Sequence, residues 1–268
     1  MLRAARVPAL VIGVVTCSAC FNVGLIVNVR PDGTGTIDET TMMTAQAMQQ
    51  MAGLAAMAGG SPAKPDEMFS EVEIRRRAEQ LGTGVRLESV EPIRTADGEG
   101  YRAHCSFEDV TKLSLSQVPS TPIAGMAGGP SGGDALGVRF DRGPSGSLLV
   151  LTMPPPTPEA SGERRSVIPE NVPPEALMMA RQMFKGARMS VVLAFEGRII
   201  RTNAPAALVN GSRMTLAEID FERLLADPAA LERIRSLRTI AGARTIAGEL
   251  PGVKMFTEPE LVVHFTGR

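Results

Sequence analysis

The chain has 268 residues, enough for one sizeable core or two small ones. Its 28 basic and 29 acidic residues leave a formal net charge of −1, which excludes nucleic acid as the main partner, because phosphate binding needs clustered positive charge. Three cysteines and two histidines exclude a disulfide-dense scaffold and leave too little material for a His/Cys metal site.

The first segment reads as an export address. Arg3 and Arg6 are the only charges before Arg30, and thirteen uncharged residues separate Arg6 from Cys20. As a helix those residues would span roughly 20 Å, short of the roughly 30 Å hydrocarbon core of a bilayer. A positive start, a short apolar middle and a small-residue end describe a signal peptide over residues 1–19. The segment closes on Cys17-Ser18-Ala19-Cys20, with small residues directly before a cysteine.

That ending resembles the lipobox of bacterial lipoproteins, with Cys17 standing where leucine is usual. The resemblance implies cleavage between Ala19 and Cys20 and acylation of Cys20, and so a partner in the membrane itself. Several acyl chains on one cysteine hold far more firmly than a single chain. Cys105 would then be the only thiol left; with Cys20 free, a Cys20–Cys105 bridge is conceivable. No later apolar run reaches about 18 residues, so no transmembrane helix is predicted.

The body, residues 20–268, reads as one α+β domain. Val23, Leu25, Val27 and Val29 alternate with Gly24, Ile26 and Asn28, which is the period of a strand. Pro31-Asp32-Gly33 turns it into a Thr-rich partner over 34–41, a hairpin. A Met-, Ala- and Gln-rich helix is expected over 42–58, and a second over 66–81, with Ile74, Ala78 and Leu81 inward and Arg75, Arg76 and Arg77 mostly outward. Strands over 85–93 and 101–110 form another hairpin, with Tyr101, Ala103, Cys105 and Phe107 on its core face.

Residues 117–137 are rich in Gly and Pro and read as a mobile loop. Short strands follow at 138–141 and 148–153, and then a Pro-rich excursion over 154–174. A short helix over 175–185 leads to strands 189–195 and 198–203 with Glu196-Gly197 at their turn. A strand over 214–220, a helix from Asp227-Pro228 to Ala241 and a last strand over 261–265 complete the chain. Strands in adjacent pairs between helical blocks predict an antiparallel or mixed sheet of hairpins, helices packed on one face, and long Gly/Pro-rich loops.

The strand after Cys20 with Pro31-Asp32-Gly33-Thr34-Gly35, the segment Tyr101 to Val110, and Val191 to Asn203 with its Phe195-Glu196-Gly197 turn are similar to the LppM-like lipoproteins of bacteria. That resemblance implies a non-enzymatic envelope protein with an α+β domain, for which lipid binding has been suggested.

Catalytic signals are sparse. No Gly-x-x-x-x-Gly-Lys loop and no Gly-x-Ser-x-Gly elbow occur. His104 and Cys105 are strand neighbours and so face opposite ways, which excludes a dyad between them. Glu108-Asp109 and Glu218/Asp220 are the carboxylate pairs a hydrolase would need. No catalytic residue, metal ligand or cofactor is assigned.

Methionine is the unusual feature, with 15 in the chain and eight in two expected helices. Adaptable thioethers suit varied apolar partners, which makes Met43, Met48, Met51, Leu54 and Met57 candidate apolar contacts. Filling a core poor in aromatics is the competing role. The leading reading is a membrane-anchored, non-catalytic lipoprotein that binds a lipid or another envelope protein. A carboxylate-dependent envelope hydrolase and a purely structural assembly role are the alternatives.

Overall fold

The computed structural model describes residues 21–49, 69–96, 98–117, 135–153, 177–178, 181–182, 184–236 and 246–267. The leader, Cys20, Met51, Leu54, Met57, most of the Gly/Pro-rich loop and the whole Pro-rich excursion lie outside these residues.

Strand β1 (Phe21–Val29) pairs antiparallel with β2 (Gly35–Thr44) through the expected hairpin. The second hairpin is β3 (Arg86–Arg94) and β4 (Gly98–Phe107). The third is β5 (Gly137–Gly143) and β6 (Gly146–Thr152). Then come β7 (Arg188–Phe195), β8 (Arg198–Thr202), β9 (Val209–Asn210), β10 (Arg213–Asp220), β11 (Val253–Met255) and β12 (Glu260–Thr266). Among the described residues the helices are α1 (Glu71–Gln80), α2 (Phe221–Ala226) and α3 (Pro228–Ser236), with helical residues also at 45–49, 177–178 and 181–182.

The expected α+β class does not hold. The described strands form two sheets, one of eight strands in the order β11-β10-β7-β1-β2-β4-β3 with β9 beside β10, and one of four in the order β5-β6-β12-β8. The fold is β-rich. The sheets pack face to face: Leu25, Val27, Ile37, Leu193 and Phe195 of the large sheet share one core with Leu149, Leu151, Val263 and Phe265 of the small one. A second sheet, rather than a layer of helices, covers most of the inner face.

The physical reason lies in the run Leu148-Leu149-Val150-Leu151. Consecutive apolar residues in a strand signal burial on both faces, and Leu149, Val150 and Leu151 are all buried. Against that slab, described helices of ten, six and nine residues are too short to form a layer. The Met-rich helix also begins later than expected, because Met42, Met43 and Thr44 still belong to β2.

A further correction concerns β7 and β8. They do not pair with each other. β7 lies parallel to β1 and antiparallel to β10 in the large sheet, and β8 pairs with β12 in the small one. Glu196-Gly197 is therefore the step from one sheet to the other. Pairings β1–β7 and β6–β12 both join strands from opposite sides of the Pro-rich segment. Contacts from the third hairpin lock the small sheet onto the first: Ser147 Oγ donates to the Pro31 carbonyl at 2.6 Å, and Arg142 Nη2 to the Asp32 carbonyl at 2.6 Å.

Gly197 has φ +141°, and a Cβ there would run into the Thr266 carbonyl oxygen on β12. Gly211, with φ +61°, has open space where its Cβ would be. Left-handed backbone costs an L-residue about 1–2 kcal/mol. Urea unfolding should therefore show Gly211→Ala losing about that much, with Gly197→Ala losing clearly more. Equal losses would mean that the sheets do not meet closely at this step.

Candidate functional site

The inner face of the large sheet has two ends. Its far half, around Val29 and Phe107, lies under the small sheet. The end carrying Phe21 is covered differently, by two small clusters. Phe21, Val23, Met43, Ala47 and Ala187 form one, with Met48, Phe69, Phe184, Met189 and Phe221 against it. The rings of Phe21, Phe184 and Phe221 stand 5.4 to 5.6 Å apart, within the range of favourable aromatic pairs. Ile74 of α1 with Tyr101 and Ala103 of β4 forms the other, and Phe69 joins the two.

Of the candidate apolar contacts, Met43 is 1% exposed inside the first cluster and Met48 is half-buried against it. Met43 is therefore a core side chain in this conformation.

Beside these clusters is a polar group that the sequence reading missed. Helix α1 starts at Ser70, whose Oγ accepts from the Glu73 backbone N–H at 3.3 Å, with Glu71 and Glu73 in its positive first turn. Arg75 and Arg76 point outward and pair with Glu71 at 2.7 Å and with Glu73. Arg77 does not face outward as expected. It is 6% exposed and sits between Ile74 and Ala78 on the buried stripe. Its position three after Ile74 and one before Ala78 places it there, a spacing legible in the sequence.

The Arg77 guanidinium carbon lies 5.0 Å from the centre of the Tyr101 ring. The Tyr101 hydroxyl donates to Glu39 Oε1 on β2. Thr41 Oγ1 lies 3.3 Å from the Tyr101 hydroxyl and 3.4 Å from Glu39. Glu39, Thr41, Arg77 and Tyr101 are all buried. Nε, Nη1 and Nη2 of Arg77 have no hydrogen-bond partner among the described residues.

The outer face of the large sheet is polar. Asp38 accepts from Asn28 Nδ2 at 2.8 Å and meets His104 Nδ1 at 2.7 Å. Cys105, on the opposite face, is buried and free, and burial with the nearby Glu39, Asp38 and Glu88 charges pushes its thiol up to about 12. Such a thiol is a packing group rather than a nucleophile at neutral pH.

The carboxylate pairs singled out as hydrolase candidates have structural partners. Glu108 pairs with Arg86, and Asp109 accepts from the Thr111 backbone N–H and hydroxyl at 3.0 and 2.7 Å, which hold its carboxyl below the usual range. Glu218 pairs with Lys254 at 3.3 Å, and Asp220 caps α2 by accepting from Arg223 N at 3.1 Å.

On the outer face of the small sheet is a groove of about 510 Å³, lined by Leu148, Arg201, Thr202, Asn203, Val262 and His264. Asn203 is committed to the backbone, donating to the Glu260 carbonyl and accepting from Val262 N at 2.8 Å each. Among the described residues no carboxylate lines this groove. Among the described residues no cluster of three or more metal-binding side chains occurs, and no helix is long and apolar enough to cross a membrane.

No family model matches the chain, and no curated protein matches it. Among solved structures, the folded domain of the Mycobacterium tuberculosis LppM protein, determined by NMR, aligns over 93% of this chain and 91% of its own, at 9% identity and a TM-score of 0.34.

Tyr101 offers a direct check on the buried polar group. Burial, and next the Glu39 charge, push its phenol well above the ordinary value of 10, against a smaller opposing pull from Arg77. An acid whose folded pKa is raised contributes stability that is full below the ordinary value and lost as pH rises past it. Tyr101 is the only tyrosine and tryptophan is absent, so tyrosinate absorbance reports this residue alone. It should stay protonated as pH passes 10 and ionise only as the domain unfolds. A reversible titration near pH 10 in the folded state would contradict the buried Tyr101–Glu39 arrangement.

Proposed function

We propose that this chain is an exported envelope lipoprotein, anchored through acyl chains on Cys20, whose domain is a non-catalytic binding module for an apolar ligand or another envelope protein. The carrying observation is the start of β1 at Phe21, the residue after the lipobox-type cysteine. A strand with buried odd residues cannot peel away as a tether without exposing Phe21 and Val23. The domain then rests against the bilayer with the Phe21 end toward it.

The ligand-binding half of the reading draws on the groove of the small sheet, walled by Leu148 and Val262 and free of acids, and on carboxylate pairs already engaged in caps and ion pairs. A carboxylate-dependent hydrolysis needs two acids facing each other across a cleft.

Labelled palmitate fed to cells expressing the full chain should enter the wild type and be absent from Cys20→Ala, which should also leave the membrane fraction. Equal labelling of the two would overturn the anchor. Native mass spectrometry of the chain from envelope extracts should then show an added mass lost on denaturation, or a co-purifying envelope protein. A bare chain in every extract would overturn the binding-module half alone.

A further inference from the structure

We propose that Arg77 is the receptor of an oxyanion-binding site beneath α1, taking a phosphate or carboxylate group. Its guanidinium nitrogens are the buried side-chain polar atoms left without a hydrogen-bond partner among the described residues. Burying an unpaired charge carries a large penalty. The contact with Tyr101 does not remove it. A ring face engages the positive charge, but it leaves the five N–H donors at the edge of the guanidinium unmet.

Neither do the neighbouring acids. Glu71 and Glu73, on the same helix, are paired with Arg75 and Arg76. Glu39 is held by the Tyr101 and Thr41 hydroxyls and makes no ion pair with Arg77. The planar fork of arginine matches two oxygens of a phosphate or carboxylate, and it is less strongly hydrated than a lysine ammonium. Glu39 and Tyr101 then act as the floor that fixes the ring under the guanidinium.

Access requires α1 to lift. It is a ten-residue helix held to the sheet chiefly by Ile74 and Ala78, with Val72 exposed on its other side. The site lies toward the Phe21 end, since Thr41 and Tyr101 are register partners two residues from Met43, which pairs with Phe21. On the anchor reading that end faces lipid headgroups, and this placement alone depends on that reading. The oxyanion site itself stands whichever way the Cys20 test falls. A lipid phosphate and free phosphate offer the same chemistry to Arg77, and the test separates them.

Tyr101 is again the reporter, through its emission in the full chain extracted in non-ionic detergent. Dodecyl phosphate should change this emission saturably, and dodecanol should not. Arg77→Lys should weaken the response about tenfold, because the bidentate fork is lost, and Arg77→Met should abolish it. Arg77→Met should melt at the same temperature or higher, since an unpaired buried charge has been removed. If that variant does not fold, the Arg77→Lys titration decides.

A stronger response to dodecyl phosphate than to inorganic phosphate assigns the site to lipid heads, and an equal one assigns it to free phosphate. Either supports the site. Undiminished binding in Arg77→Lys or Arg77→Met, equal response to dodecanol, or no response to either phosphate would overturn it.

Discussion

The rest of the structure depends on the burial of one face of β1. Phe21, Val23, Leu25, Val27 and Val29 are each 5% exposed or less, and the strand lies at the middle of the large sheet, between β7 and β2. Its far half supplies Val27 and Val29 to the core shared with the small sheet, and its first residues supply the aromatic and methionine cluster. A strand in that position cannot fray without separating the two halves of the sheet. An acyl anchor on the preceding residue would therefore be coupled to the whole domain rather than to a loose arm.

Much of this was legible along the chain. Alternation placed β1 and β4 and put Tyr101 and Cys105 on the core face, because each strand has one buried and one solvated side. Turn chemistry at Pro31-Asp32-Gly33 set the first hairpin. Layer assignment failed, and for a physical reason. Whether a sheet is covered by helices or by a second sheet is decided by which long-range pairings form, and periodicity within a segment does not encode them. The partnership of β6 with β12 spans more than a hundred residues. The turn at Glu196-Gly197 looked like a hairpin because local sequence cannot tell a return from a change of sheet.

The candidate site was less legible, and differently so. A run of three arginines on a helix ordinarily lies in water, and Arg75 and Arg76 do. The third falls on the stripe with Ile74 and Ala78. Its spacing carried that information, and the usual exposure of arginine argued against it. The methionines were open to two readings, an adaptable contact surface or filler for a core poor in aromatics, and Met43 is packed as core. Keeping an unpaired cation beside the apolar side chains buried at the Phe21 end costs stability, because the cation weakens the packing that surrounds it.

The proposed placement of the Phe21 end against a membrane is tested most directly by depth in the bilayer. Arg94, paired in register with Glu99 at the Phe21 end, and Asp32, at the opposite turn, are both exposed. They are separated by about 30 Å along a nine-residue strand. Cys105, buried with its thiol pushed up, leaves an introduced cysteine at either position free to take a nitroxide. In acylated chains on vesicles, a lipid-borne relaxation agent should strongly affect the label at 94 and leave the label at 32 nearly untouched. Equal relaxation at the two sites would show a domain that tumbles freely on a flexible tether, and would contradict the coupling of β1 to the anchor.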